Sequence, residues 1–473
     1  MNYSQLLVKG VRNFLVINLG ENFDERKRGG GAELLQAEGI LRFPLEEKQF
    51  VFSYKKVVIM KKTLAAVAVL GAFAGSALAA DVTLYGKIDM GLQYQNTKAD
   101  SVTELLPGGE YVQDTIKEDS LGLNSGLNSS SRFGIKGSEQ ISEGLTVGFQ
   151  LENGFSGDDG KFSQDDDQIF GRESRLYVQT DFGTLHMGRM GGLDSGCGSL
   201  DIFGGYAGVF GTGWGSIGDD TTIFRGMSSR LDNVIAYQSP TFGGVTLYAQ
   251  ASLKNDSDNA GDEGSSNTDR YYAIGATGSW GALSGALVFS TTDYQREWVN
   301  GAPGEKEEDV KNQHRDDMSK VVSGYVAYDF GVVKTTLGAQ YFDDVKGYDL
   351  GNVEFKYDNG VDDYADIAAK LTQKGYGVML GASAPLGAGE LFASIGYTDF
   401  EASIDSSIAK VEGDGYQFGI GYQYPLSKRT YLYTAVGYTK ISHDYQMTRV
   451  KGAEKLSLDD ETTEVVAGIV HSF

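Results

Sequence analysis

The stretch DVTLYGKIDMGLQYQ, residues 81–95, puts one kind of side chain on each face of an extended chain. Val82, Leu84, Ile88, Met90, Leu92 and Tyr94 fall on even positions, and Thr83, Lys87, Asp89, Gln93 and Gln95 on odd ones. Successive side chains of a strand point to opposite faces, so the pattern predicts a strand with one apolar and one polar face. Two environments suit such a strand. In a soluble sandwich the apolar face lines a core; in a transmembrane barrel it meets lipid, and the polar face meets a water-filled lumen. One strand does not choose between them.

The rest of the chain does. Segments near 131–139, 144–155, 172–181, 183–190, 230–239, 243–254, 270–279, 281–292, 319–330, 332–342, 374–384, 389–399, 414–424, 429–441 and 462–473 also read as strands, sixteen with the first. Several alternate cleanly: Leu145, Val147, Phe149 and Leu151 against Thr146, Gln150 and Glu152; Leu391, Ala393 and Ile395 against Phe392 and Ser394. The connections alternate too. Short ones (QISEG, DFG, SPTFGG, SWG, FG, APLGAG, YPLSKR) carry the glycine and proline of tight turns. Long polar ones fall at 96–130, 155–171, 190–229, 255–269, 293–318, 343–373, 400–413 and 442–461. This alternation puts every second strand end on one side, as in barrels with short periplasmic turns and long external loops. A sandwich has no reason to sort its loops so. An even strand number without a covering helix predicts closure, which leaves no edge unpaired. The predicted fold of residues 80–473 is therefore all-β, a 16-stranded antiparallel transmembrane β-barrel.

Ahead of it, MKKTLAAVAVLGAFAGSALA begins at Met60. Lys61 and Lys62, an apolar run from Leu64 to Phe73, and ALA at 77–79 make the three regions of a secretory signal peptide. The run is too short to span a bilayer, which needs about 20 apolar residues. Residues 60–79 thus read as a signal peptide. Such a signal has to leave the ribosome first, so Met60 is the expected start, and residues 1–59, which show no sustained period, are read as translated upstream sequence.

Composition narrows the function. Residues 80–473 hold 30 basic and 57 acidic side chains, a formal charge of −27. Nucleic acid, which needs a basic face, is excluded as a partner. A single cysteine, Cys197, excludes a disulfide framework or a thiolate cluster. Four scattered histidines (His186, His314, His443, His471) form no metal motif, and no G-x-S-x-G nucleophile frame is present. Neither cofactor, metal nor enzymatic activity is expected. The acidic runs DDDQ at 165–168 and DNAGDEG at 258–264 lack calcium-loop spacing and read as external loops.

The segments ADVTLYGKIDMGLQY (80–94), SRFGIKGSEQISEGLTVGFQLENGF (131–155), SRLYVQTDFGTLHMGR (174–189), SRLDNVIAYQSPTFGG (229–244), YPLSKRTYLYTAVGY (424–438) and the terminal HSF carry a resemblance. In this order they resemble Gram-negative trimeric porins, most closely the neisserial and β-proteobacterial group. The resemblance implies an outer-membrane barrel, usually a homotrimer, through which small hydrophilic solutes and ions diffuse passively. It also implies contacts with outer-membrane lipid and lipopolysaccharide, and with the barrel assembly machinery. The third long loop of such porins folds inward and narrows the pore. Here that loop, 190–229, is rich in glycine, and the family's PEFGG stands as DIFGG at 201–205.

By the same resemblance Lys87, Arg132, Arg175 and Arg230 form the basic side of a constriction, and Asp194, Asp201, Asp219 and Asp220 its acidic loop. By parity Lys87 and Arg175 point into the lumen. Phe473, with Ile469 and His471 on its strand, resembles the assembly signal of outer-membrane barrels. Four bases against four acids roughly cancel, so the acidic mouths predict moderate cation preference. Two alternatives stand beside a general-diffusion porin: a substrate-specific channel, which would need an aromatic track or charge ladder, and a surface adhesin built on a barrel.

Overall fold

A computed structural model describes residues 82–105, 110–162, 168–218, 220–256, 262–265, 268–294, 318–356, 364–404, 409–447 and 455–473. The expected upstream segment 1–59 and signal peptide 60–79 lie outside them, as does most of the two acidic runs. The strands in chain order are β1 (Thr83–Leu105), β2 (Glu110–Ser125), β3 (Arg132–Ser142), β4 (Leu145–Gly154), β5 (Glu173–Thr180), β6 (Gly183–Gly191), β7 (Arg230–Gln238), β8 (Val245–Ser252) and β9 (Arg270–Trp280). Then follow β10 (Leu283–Asp293), β11 (Lys320–Asp329), β12 (Lys334–Lys356), β13 (Tyr364–Leu386), β14 (Gly389–Ile404), β15 (Ala409–Pro425), β16 (Thr430–Met447) and β17 (Lys455–Ser472). One short helix, α1 (Asp220–Ile223), lies between β6 and β7.

From β3 onward each strand pairs antiparallel with the next. β17 then pairs with β1, from Glu104 against Lys455 to Lys87 against Ser472, and closes the sheet. At the seam Gly86 N donates to Phe473 O at 3.1 Å and Phe473 N donates to Gly86 O at 3.0 Å. β2 and β3 share one place: Met90–Leu105 of β1 faces β2, and Thr83–Lys87 faces β3. Seventeen strands therefore fill sixteen positions. The short turns use glycine where the chain needs a positive φ, as at Gly281 (+62°) and Gly331 (+83°), a region costly for residues with a Cβ.

Four of the links read as polar loops, 96–130, 343–373, 400–413 and 442–461, are largely strand instead. Beyond the bilayer both faces of a strand meet water. The ladder then continues without any apolar alternation to mark it.

The two faces differ as a lipid-embedded barrel requires. Leu84 and Ile395 on the outside are 56% and 60% exposed, whereas Val466 on the inside is 0%. Exposed Tyr94, Tyr341, Tyr376, Tyr397 and Tyr416 form an aromatic belt toward the long-loop end. Phe182, Phe242, Trp280 and Phe330 mark the short-turn end. Amphipathic rings settle at both membrane interfaces, which sets the apolar band between these belts.

The loop from 192 to 229 packs inside the barrel. Leu193, Ile202, Phe203, Ile223 and Phe224 bury against Ala273, Val288 and Met379, and Phe210, Trp214 and Ile217 against Phe392, Tyr433 and Val466. Each large side chain so buried contributes about 1.5–3 kcal/mol. Glycines on the lumen face make the seat. A Cβ at Gly396 would lie 2.7 Å from Ile223 Cγ1, and one at Gly419 2.8 Å from Ile217 Cγ2.

Candidate functional site

The loop is pinned to the wall at three points. Near its start Leu193 N donates to Gln250 Oε1 at 3.0 Å, and near its end Gly226 N donates to Gln340 Oε1 at 2.8 Å. At its middle Ser216 N donates to Glu464 Oε2 at 2.9 Å, and Gly215 N to Leu127 O at 2.9 Å. Its apolar side chains pack on β7–β17 and Ser199 Oγ donates to Glu173 Oε2 of β5 at 2.8 Å, which leaves the other flank to a passage along β1 and β3–β6.

That opposite wall is basic. Lys87 and Arg132 are register partners on β1 and β3. Lys87 Nζ donates to Ser129 Oγ at 3.0 Å, and Arg132 Nη1 to Ser130 O at 3.1 Å. Next in the ladder, Arg175 is held by Glu173 Oε1 at 2.7 Å and donates to Gln150 Oε1 at 3.0 Å. Its Nη1 also stands 2.8 Å from His186 Nδ1. Arg230 Nε donates to Arg172 O at 3.0 Å, and Arg172 Nε donates to Glu152 Oε1 at 2.7 Å. Glu152 also takes a bond from Tyr85 OH at 3.0 Å and lies 3.7 Å from Arg132 Nε.

The four basic residues singled out in the sequence thus share one wall, joined by Arg172. Sequence reasoning missed Arg172 because the strand expected over 172–181 gives it the parity of Leu176 and Val178, whereas β5 begins only at Glu173 and Arg172 precedes it. Glu152 and Glu173 were missed as well, although both occupy lumen-side positions of alternating strands.

The loop carboxylates are placed differently from the expected acidic face. Asp194 is fully buried, accepting bonds from Tyr271 OH at 3.0 Å, Ser290 Oγ at 2.6 Å and Ser228 Oγ. Asp201 turns back on its own loop and accepts from the amides of Gly196 (3.0 Å), Phe203 (3.2 Å), Gly204 (3.0 Å) and Gly205 (2.8 Å). Burial pushes its carboxyl above the usual carboxylate range, while these amides pull the other way. Asp219 lies outside the described residues, and of Asp220 only the backbone, in α1, is described. Between 196 and 218 the exposed loop residues are Gly198, Ser199, Gly205, Tyr206, Thr212 and Gly215, none of them charged. Five wall cations therefore face a loop stretch, 196–218, that exposes no charged side chain. Glu152, Glu173 and the buried Asp89, which accepts from the Asn128 and Ser129 amides at 2.7 Å, offset three of them.

The terminal residues sit at the seam. Ile469 points outward, His471 Nδ1 lies 2.9 Å from Thr430 Oγ1, and the Phe473 ring covers Gly86.

A profile of the Gram-negative porin family matches residues 65–444. The chain is 32% identical over 400 residues to an outer membrane porin protein of Bordetella pertussis, covering 80% of this chain and 94% of that one. It is 28% identical over 425 residues to outer membrane porin protein 32 of Delftia acidovorans, covering 88% and 100%. Among solved structures, an anion-selective porin from Comamonas acidovorans superposes with a TM-score of 0.50 at 24% identity, over 83% of this chain and 100% of that one.

Proposed function

The chain belongs to the Gram-negative porin family and forms an outer-membrane barrel channel, and from that premise we propose that its passage favours small hydrophilic anions. One observation carries the sign: the basic wall faces a loop whose described carboxylates, Asp194 and Asp201, are bonded inside the loop and wall. The cation preference expected from sequence let four loop aspartates cancel the four bases and the acidic mouths decide; the bonding of Asp194 and Asp201 supports a weaker cancellation at the narrow point.

The size follows from the excess of two positive charges. At about 6 Å in water each acts on a monovalent ion with about 0.7 kcal/mol, which 0.1 M salt roughly halves. Two such charges favour an anion and disfavour a cation by about 0.8 kcal/mol each. The combined difference corresponds to an anion-to-cation ratio of about 10. The reversal potential of the reconstituted channel in a KCl gradient tests this. Chloride preference is expected in the wild type, falling toward unity when Lys87→Gln and Arg132→Gln remove the excess. A potassium-selective wild type refutes the reading.

The working unit proposed is a homotrimer in contact with lipopolysaccharide, assembled by machinery that reads Phe473, Ile469 and His471 on the closing strand. Membership in the porin family supports this, and cross-linking in native outer membranes tests it: a monomer as the largest species contradicts it.

A further inference from the structure

We propose that Glu173 sets both the width and the charge of the passage, one carboxylate oxygen for each, with Ser199 as the positioning residue that stops the loop against it. This deepens the reading that the passage favours anions, and rests on it for the sign of the selectivity.

The loop abuts the basic side of the barrel at two places. At one, Gly215 N donates to Leu127 O at 2.9 Å, and a Cβ at Gly213 would collide with Asn128 O. Backbone makes that abutment, so no side chain tunes it. At the other, Ser199 Oγ donates to Glu173 Oε2 at 2.8 Å and stands 3.4 Å from Gln150 Oε1. Between them the wall runs from the link before β3 across β4 to β5, where Glu152 is the register partner of Glu173. The side-chain abutment is therefore the adjustable end of this span.

Glu173 is 2% exposed, and both of its oxygens are engaged. Oε1 lies 2.7 Å from Arg175 Nε and cancels one wall charge. Oε2 holds Ser199, an exposed loop residue next to buried Leu200. Behind this strut a recess of about 300 Å³ is lined by Arg175, Tyr177, His186 and Gln238 on the wall and by Ser199 and Leu200 on the loop. Spread over the rise from Arg175 to Gln179, about 13 Å, that volume corresponds to about 20 Å² of cross-section. The strut keeps this area apart from the passage.

The two oxygens make the roles separable. Ser199→Ala frees the loop segment and leaves the charge. Glu173→Gln removes the charge and keeps both contacts, because its amide oxygen accepts from Arg175 and its amide N–H donates to Ser199 Oγ, a hydroxyl that also accepts.

The test uses the full reconstituted channel, with proteoliposome swelling in glucose and raffinose for width and the KCl reversal potential for charge. Losing one hydrogen bond to a charged group moves the balance between a seated and a lifted segment about tenfold, so Ser199→Ala should raise the raffinose-to-glucose rate ratio about twofold. Its chloride-to-potassium ratio should stay at the wild-type value, and Ser199→Thr, which restores the hydroxyl, should return the sugar ratio to wild type. Glu173→Gln should leave the sugar ratio alone and raise the chloride-to-potassium ratio about threefold, the effect of one charge at the distance used above. An unchanged sugar ratio in Ser199→Ala, or an unchanged ion ratio in Glu173→Gln, overturns the proposal. A wild type that prefers potassium, with the two variants still separating as described, fails the anion reading and leaves the strut standing; chloride preference with variants that do not separate fails the strut alone.

Discussion

Gly396→Val strikes at the seat of the inner loop without touching the passage itself. A Cβ there would stand 2.7 Å from Ile223 Cγ1, 3.0 Å from Ile223 Cδ1 and 3.3 Å from Gln417 Cγ. Ile223 and Gln417 are both fully buried, so neither can swing aside. The added methyls must push the loop near α1 away from β14. Overpacking of this kind costs about 1–3 kcal/mol. That cost falls on the loop, because the ladders of β14 to β13 and β15 use backbone groups that the change leaves in place. Partial exposure of Ile223 and Phe224 forfeits about 1–3 kcal/mol more of loop anchoring. Single-channel recording should therefore show a larger, noisier open current, while the thermal unfolding of the barrel moves little. A current with wild-type amplitude and noise refutes the reasoning, since it means that the loop does not rest on this glycine.

Ile420→Arg, on the lipid face of β15 four residues from both exposed Tyr416 and exposed Tyr424, should cost about 2–4 kcal/mol in unfolding from bilayers, whereas Gln179→Arg on the exposed lumen face should be mild; equal losses would mean that the two faces are misassigned. Chloride preference should shrink from about tenfold at 0.1 M to about twofold at 1 M KCl as the Debye length falls from about 10 to 3 Å, and Glu152→Gln should enlarge it at low salt. Deleting Phe473 removes the pair of backbone bonds to Gly86 and the ring over it. The deletion should sharply lower the amount of heat-modifiable barrel in outer membranes while synthesis continues, and normal amounts would contradict its assigned role.

The barrel was legible because lipid and water lie on opposite faces of each strand. Val82, Leu84 and Ile88 against Thr83, Lys87 and Asp89 record that division directly. Alternation reports on the solvent, not on the backbone. For this reason the outer halves of β1, β12 and β13, whose sequence lacks apolar alternation, read as loops although their ladders run on to Leu105 and Lys356. On the basic wall the same parity pointed Lys87 and Arg175 inward, Arg132 and Arg230 came from the family resemblance, and neither reached Arg172 in the approach to β5. The loop carboxylates were not. An aspartate in a glycine-rich loop can face water or accept from its own amides, and whether Asp201 does the latter depends on a turn that only the packed loop defines. Nor does local sequence show that Gly396 and Gly419 are lumen-side seats, because the residues that fill them, Ile223 and Ile217, come from far along the chain.

The central claim is that the inner loop borders a passage whose opposite wall is positive. Cys197, half-exposed near the start of that loop, is a free thiol and lies in the field of Arg230. The direct measurement is the current through single channels while anionic or cationic methanethiosulfonate reagents of similar size are added from the external side. Both should reduce the conductance in discrete steps, and the anionic reagent should react several-fold faster at low salt. Complete labelling without a change in conductance would place the loop outside the passage, and faster reaction of the cationic reagent would contradict the positive wall.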